Sequence, residues 1–470
     1  MKTHPFVQLD FGDLRLAKRA NLVLGSMTSA GSSVINRIFS DNTEKIAAYR
    51  MINNGNITCE SIIKAYANTC RKEVASDATC FHLLCIQDTC EINFEAHTER
   101  MHKKGRIPGI ISNKEAGCFL HPTIAVDADT LLPIGFTHIK IWNRDEDAPG
   151  CMERKYKSLE SAAKESYRWC ESFDKTRELV GQNAMVTMLS DRESDTYEFL
   201  TRSKDDVYFV IRANQNRCVK GNDKKLHEYV KTMPLLGTYE FKLPSSRGRK
   251  ARMAQMELRF KEIELLRPHN NKSGERTVRV NCIHVSEVSG STPKGEKPIE
   301  WTLYTNHEVK SVEQALQCVN WYKCRWFIEE LFRLLKKKGF KIEDIQLEEI
   351  ECIEKNILLA AYAALLSIAI KHAFDNPDYC RRIPAYHCFA TPVIKTAKLL
   401  QKTLDGRTKK QQNPYPPGSL SWISWIIARL GCWSGYASQA RPGYTTFKVG
   451  LDKLFCKADM YCIMQDVYNG

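Results

Sequence analysis

Apolar positions along the chain change period several times, and each change predicts an element. Residues 1–70 follow the helical repeat. Leu16, Ala20, Val23 and Met27 share one face behind Asp13, which is placed to cap that helix. Asp41 and Glu44 have the spacing of a capping box that opens a second helix through Tyr49 and Arg50, and Asn53-Asn-Gly-Asn56 closes it. From about residue 75 the pattern shortens. The run Phe81–Gln87 is a strand ended by Asp88, and Ala184–Ser190 is a strand ended by Asp191. Between them, residues 91–116 read as a polar loop, Gly117–Val126 and Leu131–Trp142 as strands around Asp127-Ala-Asp129, and residues 152–174 as a helix. A short helix (Thr196–Arg202) and a strand (Val207–Ile211) lead to Arg212. Residues 213–300 alternate with period two, giving strands at Thr238–Leu243, Ala254–Leu265 and Thr277–Val288, and Ile299–Thr305 follows. Arg247–Arg252 is a basic loop within that insert.

Residues Asn320–Gly339 read as one helix. At about 100° per residue, Tyr322, Arg325, Glu329 and Lys336 fall within roughly 60° of one another, and Arg333 and Lys337 join them. Phe327, Ile328, Leu331, Phe332, Leu334 and Leu335 form the opposite, apolar stripe. Trp326 is a large aromatic on the polar face. Charges at this spacing fit a solvated face laced with ion pairs, and they equally fit a carboxylate beside phosphate-binding cations. The run Ile357–Ile370 predicts a buried core helix, Lys409–Gly418 a linker or long loop, and Trp422, Trp425, Ile426 and Leu430 a helix serving either a small core or a partner interface.

Composition narrows the picture. A chain of 470 residues with 43% apolar and 26% charged residues is a soluble globular protein of two or three domains. Its net charge of +14 is dispersed, which favours an anionic partner such as nucleic acid. Arg15, Lys18 and Arg19 lie on the open side of the first helix, which is either a DNA-docking surface or a solvated one. None of the 18 cysteines forms a C-x-x-C pair, so zinc ribbons and redox pairs lack their signature, and Cys80, Cys85 and Cys90 read as buried thiols. Met1–Phe6 carries no apolar signal region, and no stretch predicts a membrane span; a reducing cytoplasm is the expected home.

Strand, hairpin, helix, strand, helix is the order of a mixed α/β sheet with helices on its faces. Residues just past the ends of central strands line the functional crevice of such sheets. Asp88 and Asp191 are so placed, although a strand-end aspartate also caps helices. Asp191-Arg-Glu-Ser-Asp195 is dense in carboxylates where a metal ion could enter.

Asp88, Asp191 and Glu329, with the Y-x2-R-x3-E-x6-K spacing of Tyr322, Arg325, Glu329 and Lys336, resemble the DDE transposases of the insertion-sequence-four group, and among them the Tn-five type. The resemblance runs over nearly the whole chain. It includes Phe11–Arg19, Ala48–Arg50, Ile86–Thr89, Phe209–Arg212, Pro293–Trp301, Ser419–Trp422 and Ile427–Gly431. It implies a ribonuclease-H-like mixed sheet core over residues 71–372 with a β-rich insert at about 213–300, a helical DNA-binding domain over 1–70, and a helical dimerisation domain over 373–470. The stretch near 143–175 holds extra residues, and the N-terminus is shorter than the family pattern.

The same resemblance implies the chemistry. Asp88, Asp191 and Glu329 would hold two Mg2+ ions, with Mn2+ also serving, as oxygen donors prefer. Tyr322, Arg325 and Lys336 would contact phosphates at the cleavage point, Arg212 would be a further DNA contact, and Trp301 and Trp326 would hold a flipped base during hairpin formation; Arg333, on the same helix face, is read as a DNA contact beside them. Arg15, Arg19, Tyr49 and Arg50 would contact transposon ends. The implied activity is cut-and-paste transposition by a homodimer near the bacterial nucleoid, with double-stranded transposon ends and target DNA as partners. A nuclease lacking strand transfer and a silent DNA-binding regulator are the alternatives.

Overall fold

A computed structural model describes residues 9, 11–76, 81–99, 109–112, 114–145, 164–181, 184–202, 207–243, 250–269, 274–336, 339–436 and 439–469. Most of the basic loop, the first part of the helix expected at 152–174, and Lys337 lie outside them. The described strands are β1 (Phe81–Gln87), β2 (Cys90–Asn93), β3 (Gly117–Asp127), β4 (Pro133–Trp142), β5 (Ala184–Ser190), β6 (Val207–Arg212), β7 (Gly237–Leu243), β8 (Arg252–Leu266), β9 (Thr277–Glu287) and β10 (Glu300–Thr305). The fold is mixed α/β, consistent with a ribonuclease-H-like core and a helical N-terminal region. The chain divides into two compact units. One comprises Met1–Ala78, Thr89–Ala148 and Phe327–Gly470; the other comprises Thr79–Asp88 and Pro149–Trp326.

The first unit is built on the helix Ile350–Asp375, whose Ile357–Ile370 stretch is apolar on nearly every side and almost wholly buried. Its length and hydropathy would suffice to cross a bilayer, but 89% of its most apolar window is packed inside the protein. Tyr66 from the helix Cys59–Ser76 donates its hydroxyl to Leu358 O, and Asn356 Nδ2 donates to Ser33 O. Buried Lys355 donates to Ile52 O and Asn54 O, at the C-terminal end of the helix Asn42–Ile52, and pairs with Glu351. Ala20, Val23 and Met27 of the helix Leu14–Ala30 are buried, and Asp13 caps it by accepting from Arg15 N and Leu16 N. Asp41 caps the next helix through Thr43 N, but Glu44 closes no capping box there; it pairs with Arg19.

Two polar stretches of this unit are more ordered than their sequence predicts. Strand β2 occupies part of the expected 91–116 loop; at four residues it is too short to leave a periodic signal. The expected linker at 409–418 is tied down: Asn413 N donates to Asp405 Oδ1, and Asn413 Nδ2 donates to Trp422 O. Trp422, Trp425, Ile426 and Leu430 on the helix Leu420–Leu430 pack into a core with Phe447 and Leu451, so the core reading of that helix holds.

The second unit holds the strands in the order β1-β5-β6-β10-β9-β8-β7. Strands β1, β5 and β6 are parallel, and the rest pair antiparallel. The central strands are continuous apolar runs because both faces are covered, while β7 alternates because one face is open. The helix Leu226–Thr232 interrupts the insert where uniform alternation predicts only strands. Leu226, Tyr229 and Val230 are its buried stripe, too brief a period to register against the flanking strands.

A polar chain crosses β1 and β5. Thr187 Oγ1 lies 2.8 Å from His82 Nε2 and 2.8 Å from His307 Nε2, and Tyr208 stacks on His307 at 4.2 Å. Burial, and secondarily the neighbouring His82, pushes His307 down to about 3. The unfolded chain takes up this proton near the ordinary histidine value of about 6.5, so between there and about 3 the unfolded state binds more protons. The contribution is fully present above about pH 6.5 and is lost as the pH falls through that window. Urea unfolding should therefore give a lower midpoint at pH 5 than at pH 7.5. His307→Gln should narrow that gap; an unchanged gap would remove His307 from the acid sensitivity.

Candidate active site

Register fixes the first part of the site. Gln87 pairs with Ser190, and Ser190 pairs with Ile211. The next residues along each parallel strand direction are Asp88, Asp191 and Arg212. Three chemistry-bearing residues thus leave the same edge of three adjacent strands, where α/β sheets open their crevices. Beneath them, Gln87 Nε2 donates to Ser190 Oγ at 3.0 Å and ties the two strand ends together.

Asp88 and Asp191 are engaged differently. Asp88 Oδ2 accepts from Arg325 Nη1 at 3.0 Å, with both side chains about four-fifths shielded from solvent. Asp191 caps the turn Arg192–Ser194, its Oδ1 accepting from Arg192 N at 2.6 Å. The capping role foreseen for strand-end aspartates is real at Asp191, and one oxygen suffices for it. The other carboxylates of the acidic stretch are spoken for. Glu193 pairs with Arg168, and buried Asp195 pairs with Arg217 while accepting from Asn214 N and Gln215 N.

The expected single helix over Asn320–Gly339 is two helices, Val312–Lys323 and Trp326–Lys336. Cys324 N bonds to Trp321 O and Arg325 N to Tyr322 O, three residues back each, so the turn tightens at Cys324-Arg325. Apolar periodicity survives such a break, and the sequence pattern therefore did not register it. The correction matters for geometry. Tyr322 is not on an open polar face; it is buried, with Trp301 edge-on at 5.7 Å between ring centres. Burial pushes the Tyr322 hydroxyl up to about 12, with Arg325 pulling it down, Asp191 raising it and Arg212 lowering it. The phenol stays a hydrogen-bond donor at neutral pH, in the field of the strand-end residues. Arg212 Nη2 donates to Glu300 O at 3.0 Å, and burial lowers its guanidinium pKa.

Asp88, Asp191, Arg212, Trp301, Tyr322, Arg325 and Trp326 belong to the second unit; Glu329, Arg333 and Lys336 belong to the first. Trp326 opens its helix with 57% of its surface exposed, as its place on the polar face predicted. Glu329 is exposed, whereas its neighbour Glu330 is buried and bound by Arg333, which also lies over the Tyr444 ring. Arg333 is therefore engaged by Glu330 while 37% of its side chain stays exposed. Lys336 Nζ stands 3.9 Å from Glu343. In the N-terminal helices, Arg15 and Arg50 are exposed, Tyr49 is half-buried, and Arg19 is paired with Glu44.

Among the described residues no three of His, Cys, Asp and Glu gather as a metal cluster. Asp88 and Asp191 still present the right chemistry for a hard divalent cation: carboxylate oxygens from neighbouring strand ends, partly open to solvent. Three residues went unnoticed in the sequence. Arg192, His227 and Lys231 line a cavity of about 340 Å³ together with Arg212. His227 and Lys231 sit four apart on the helix that alternation concealed.

Two family models match the chain. Residues 2–57 match the transposase DNA-binding model, and residues 174–366 match the transposase DDE domain. The first interval contains Arg15, Arg19, Tyr49 and Arg50. The second contains Asp191, Arg212, Trp301, Tyr322, Arg325, Trp326, Glu329, Arg333 and Lys336; Asp88 precedes it.

Proposed function

We propose, from the premise that the chain is a transposase carrying a DNA-binding domain and a DDE domain, that it moves DNA by a cut-and-paste route. The observation that carries this reading is the row Asp88, Asp191 and Arg212 on adjacent strand ends, with Arg325 and Tyr322 gathered at it. DDE domains generally use divalent metals, and Asp88, Asp191 and Glu329 would hold two of them, Mg2+ or Mn2+. Such ions would lower the pKa of the attacking water or hydroxyl and stabilise the departing 3′ oxygen. Arg325 neutralises Asp88 until the site is loaded and then faces the phosphate. Tyr322 donates to a phosphate oxygen, and Arg212 and Lys336 add positive charge along the strand.

The finer assignment follows the motif spacing. The chain is of the insertion-sequence-four group and Tn-five type. It nicks the transposon end, forms a hairpin by attack of the freed 3′ hydroxyl, opens it, and joins the end to target DNA. Residues 1–70 bind the ends, 71–372 carry the chemistry, and 373–470 pair two subunits, each cutting the end held mainly by the other. The setting is the bacterial cytoplasm at the nucleoid.

The test is a purified-protein reaction on linear DNA bearing the element's own ends, with Mg2+ and a target, resolved on a denaturing gel. Nicks, hairpins and joined products are expected. Breaks that are never joined would make it a nuclease; binding without cleavage even in Mn2+ would make it a regulator. Trp326→Ala should slow hairpin formation by about tenfold or more, the worth of one stacked base, while sparing the first nick. Equal loss at every step would remove Trp326 from base stacking.

A further inference from the structure

Beside the strand-end residues the second unit holds a cavity of about 340 Å³. Arg192, one residue beyond Asp191, and Arg212, at the end of β6, form one side. His227 and Lys231, one helical turn apart, form another. Several other arginines of this unit are held by carboxylates: Arg168 by Glu193, Arg202 by Asp174, Arg217 by Asp195, and Arg252 by Glu287 and Glu296. Among the described residues Arg192, Arg212, His227 and Lys231 make no ion pair with any carboxylate. Glu300 is the one acid in the lining; its backbone oxygen serves Arg212 and its carboxylate lies 3.8 Å from His284. Four basic groups against the single carboxylate of Glu300 leave this space net positive, which calls for an anion.

The lining also says which part of a nucleic acid fits. Apart from the His227 imidazole it offers no aromatic ring on which a base could stack. Asn214 and Thr302 supply polar groups instead. Lys231 and Glu300 also line a second cavity of about 630 Å³, but Glu257 and Glu287 line it too and Arg259 is paired with Glu257, so the basic lining ends with the first cavity. The place of Arg192 and Arg212 beside Asp191 on adjacent strand ends suits a phosphate of the strand held there better than a free ion.

We propose that this cavity seats a backbone phosphate of DNA, on a nucleotide neighbouring the one at the strand-end carboxylates. The proposal rests on the reading that the chain acts on DNA.

The experiment uses the full chain without divalent metal, and fluorescence anisotropy with linear DNA bearing the element's ends. The double variant Arg192→Gln/Lys231→Gln should lower the slope of log K against log salt by about 1–2 and weaken binding about tenfold, as loss of one or two phosphate contacts does. A series of DNAs, each with one neutral methylphosphonate, locates the contact. One position should weaken the wild-type protein and leave the variant indifferent. Arg192→Lys/Lys231→Arg, which keeps the charges, should behave as wild type and separates lost contact from lost folding. Wild-type binding with an unchanged slope in the Gln variant and no such position overturns the cavity assignment while the DNA reading stands. No binding of DNA by the wild-type protein overturns the DNA reading and the proposal together. Thermal stabilisation by pyrophosphate in the wild type but not in the Gln variant, with no methylphosphonate-sensitive position, would assign the cavity to a free polyanion and overturn the DNA form.

Discussion

Glu329→Gln is expected to abolish strand cleavage, by at least about 10³-fold, while leaving DNA-end binding within a few-fold of wild type. The substitution keeps size and hydrogen bonding but removes the negative charge that a metal ligand needs. Metal-assisted stabilisation of the reacting phosphate is worth several kcal/mol, and each 1.36 kcal/mol is tenfold in rate. The adjacent glutamate supplies the control. Glu330 is buried and bound by Arg333, so Glu330→Gln should disturb packing rather than chemistry. Single-turnover cleavage and anisotropy binding, measured on both variants, separate the roles. Cleavage by Glu329→Gln near the wild-type rate would exclude Glu329 from the carboxylate set, and loss of end binding would count against a metal role.

Asp195→Ala is expected to lower the stability of the protein by about 3–5 kcal/mol, the cost of breaking a buried pair from one side. Asp195 is the most heavily bonded carboxylate of its stretch. One oxygen accepts from Arg217 Nε and Nη2, the other from Asn214 N and Gln215 N. The truncation leaves Arg217, 8% exposed, charged and without its carboxylate, and unties the loop that follows Arg212. Urea unfolding should show the loss. Arg217→Met added to Asp195→Ala should recover much of it, because the stranded charge goes too. A change below about 1 kcal/mol would mean that water replaces the carboxylate at Arg217.

The sequence made the strand ends legible for a physical reason. Phe81–Gln87 and Ala184–Ser190 are apolar runs closed by aspartates, and the strands found have those same bounds. A fully covered parallel strand admits few polar residues, so its limits are sharp. The break at Cys324-Arg325, the helix Leu226–Thr232 and the tethered loop at 409–418 were not legible. Each is decided by hydrogen bonds that periodicity does not encode, such as Arg325 N to Tyr322 O or Asn413 Nδ2 to Trp422 O. The helical wheel separated Glu329 from Glu330 but gave Glu330 no partner; in the fold Glu329 is exposed while Glu330 is buried and bound by Arg333.

The core of the first unit also sets a timetable. Ser33 is bonded to Phe340 and to Asn356, and Ile52 to Lys355, across separations of about 300 residues or more. During synthesis the N-terminal helices leave the ribosome long before these partners exist. At about 5–20 residues per second the wait is roughly 16 to 65 s, during which the apolar sides of those helices have nothing of their own core to close on. A chain released early would carry the N-terminal helices without the helix Ile350–Asp375 that completes them. The N-terminal helices are thus completed only in chains whose synthesis has already passed Asn356.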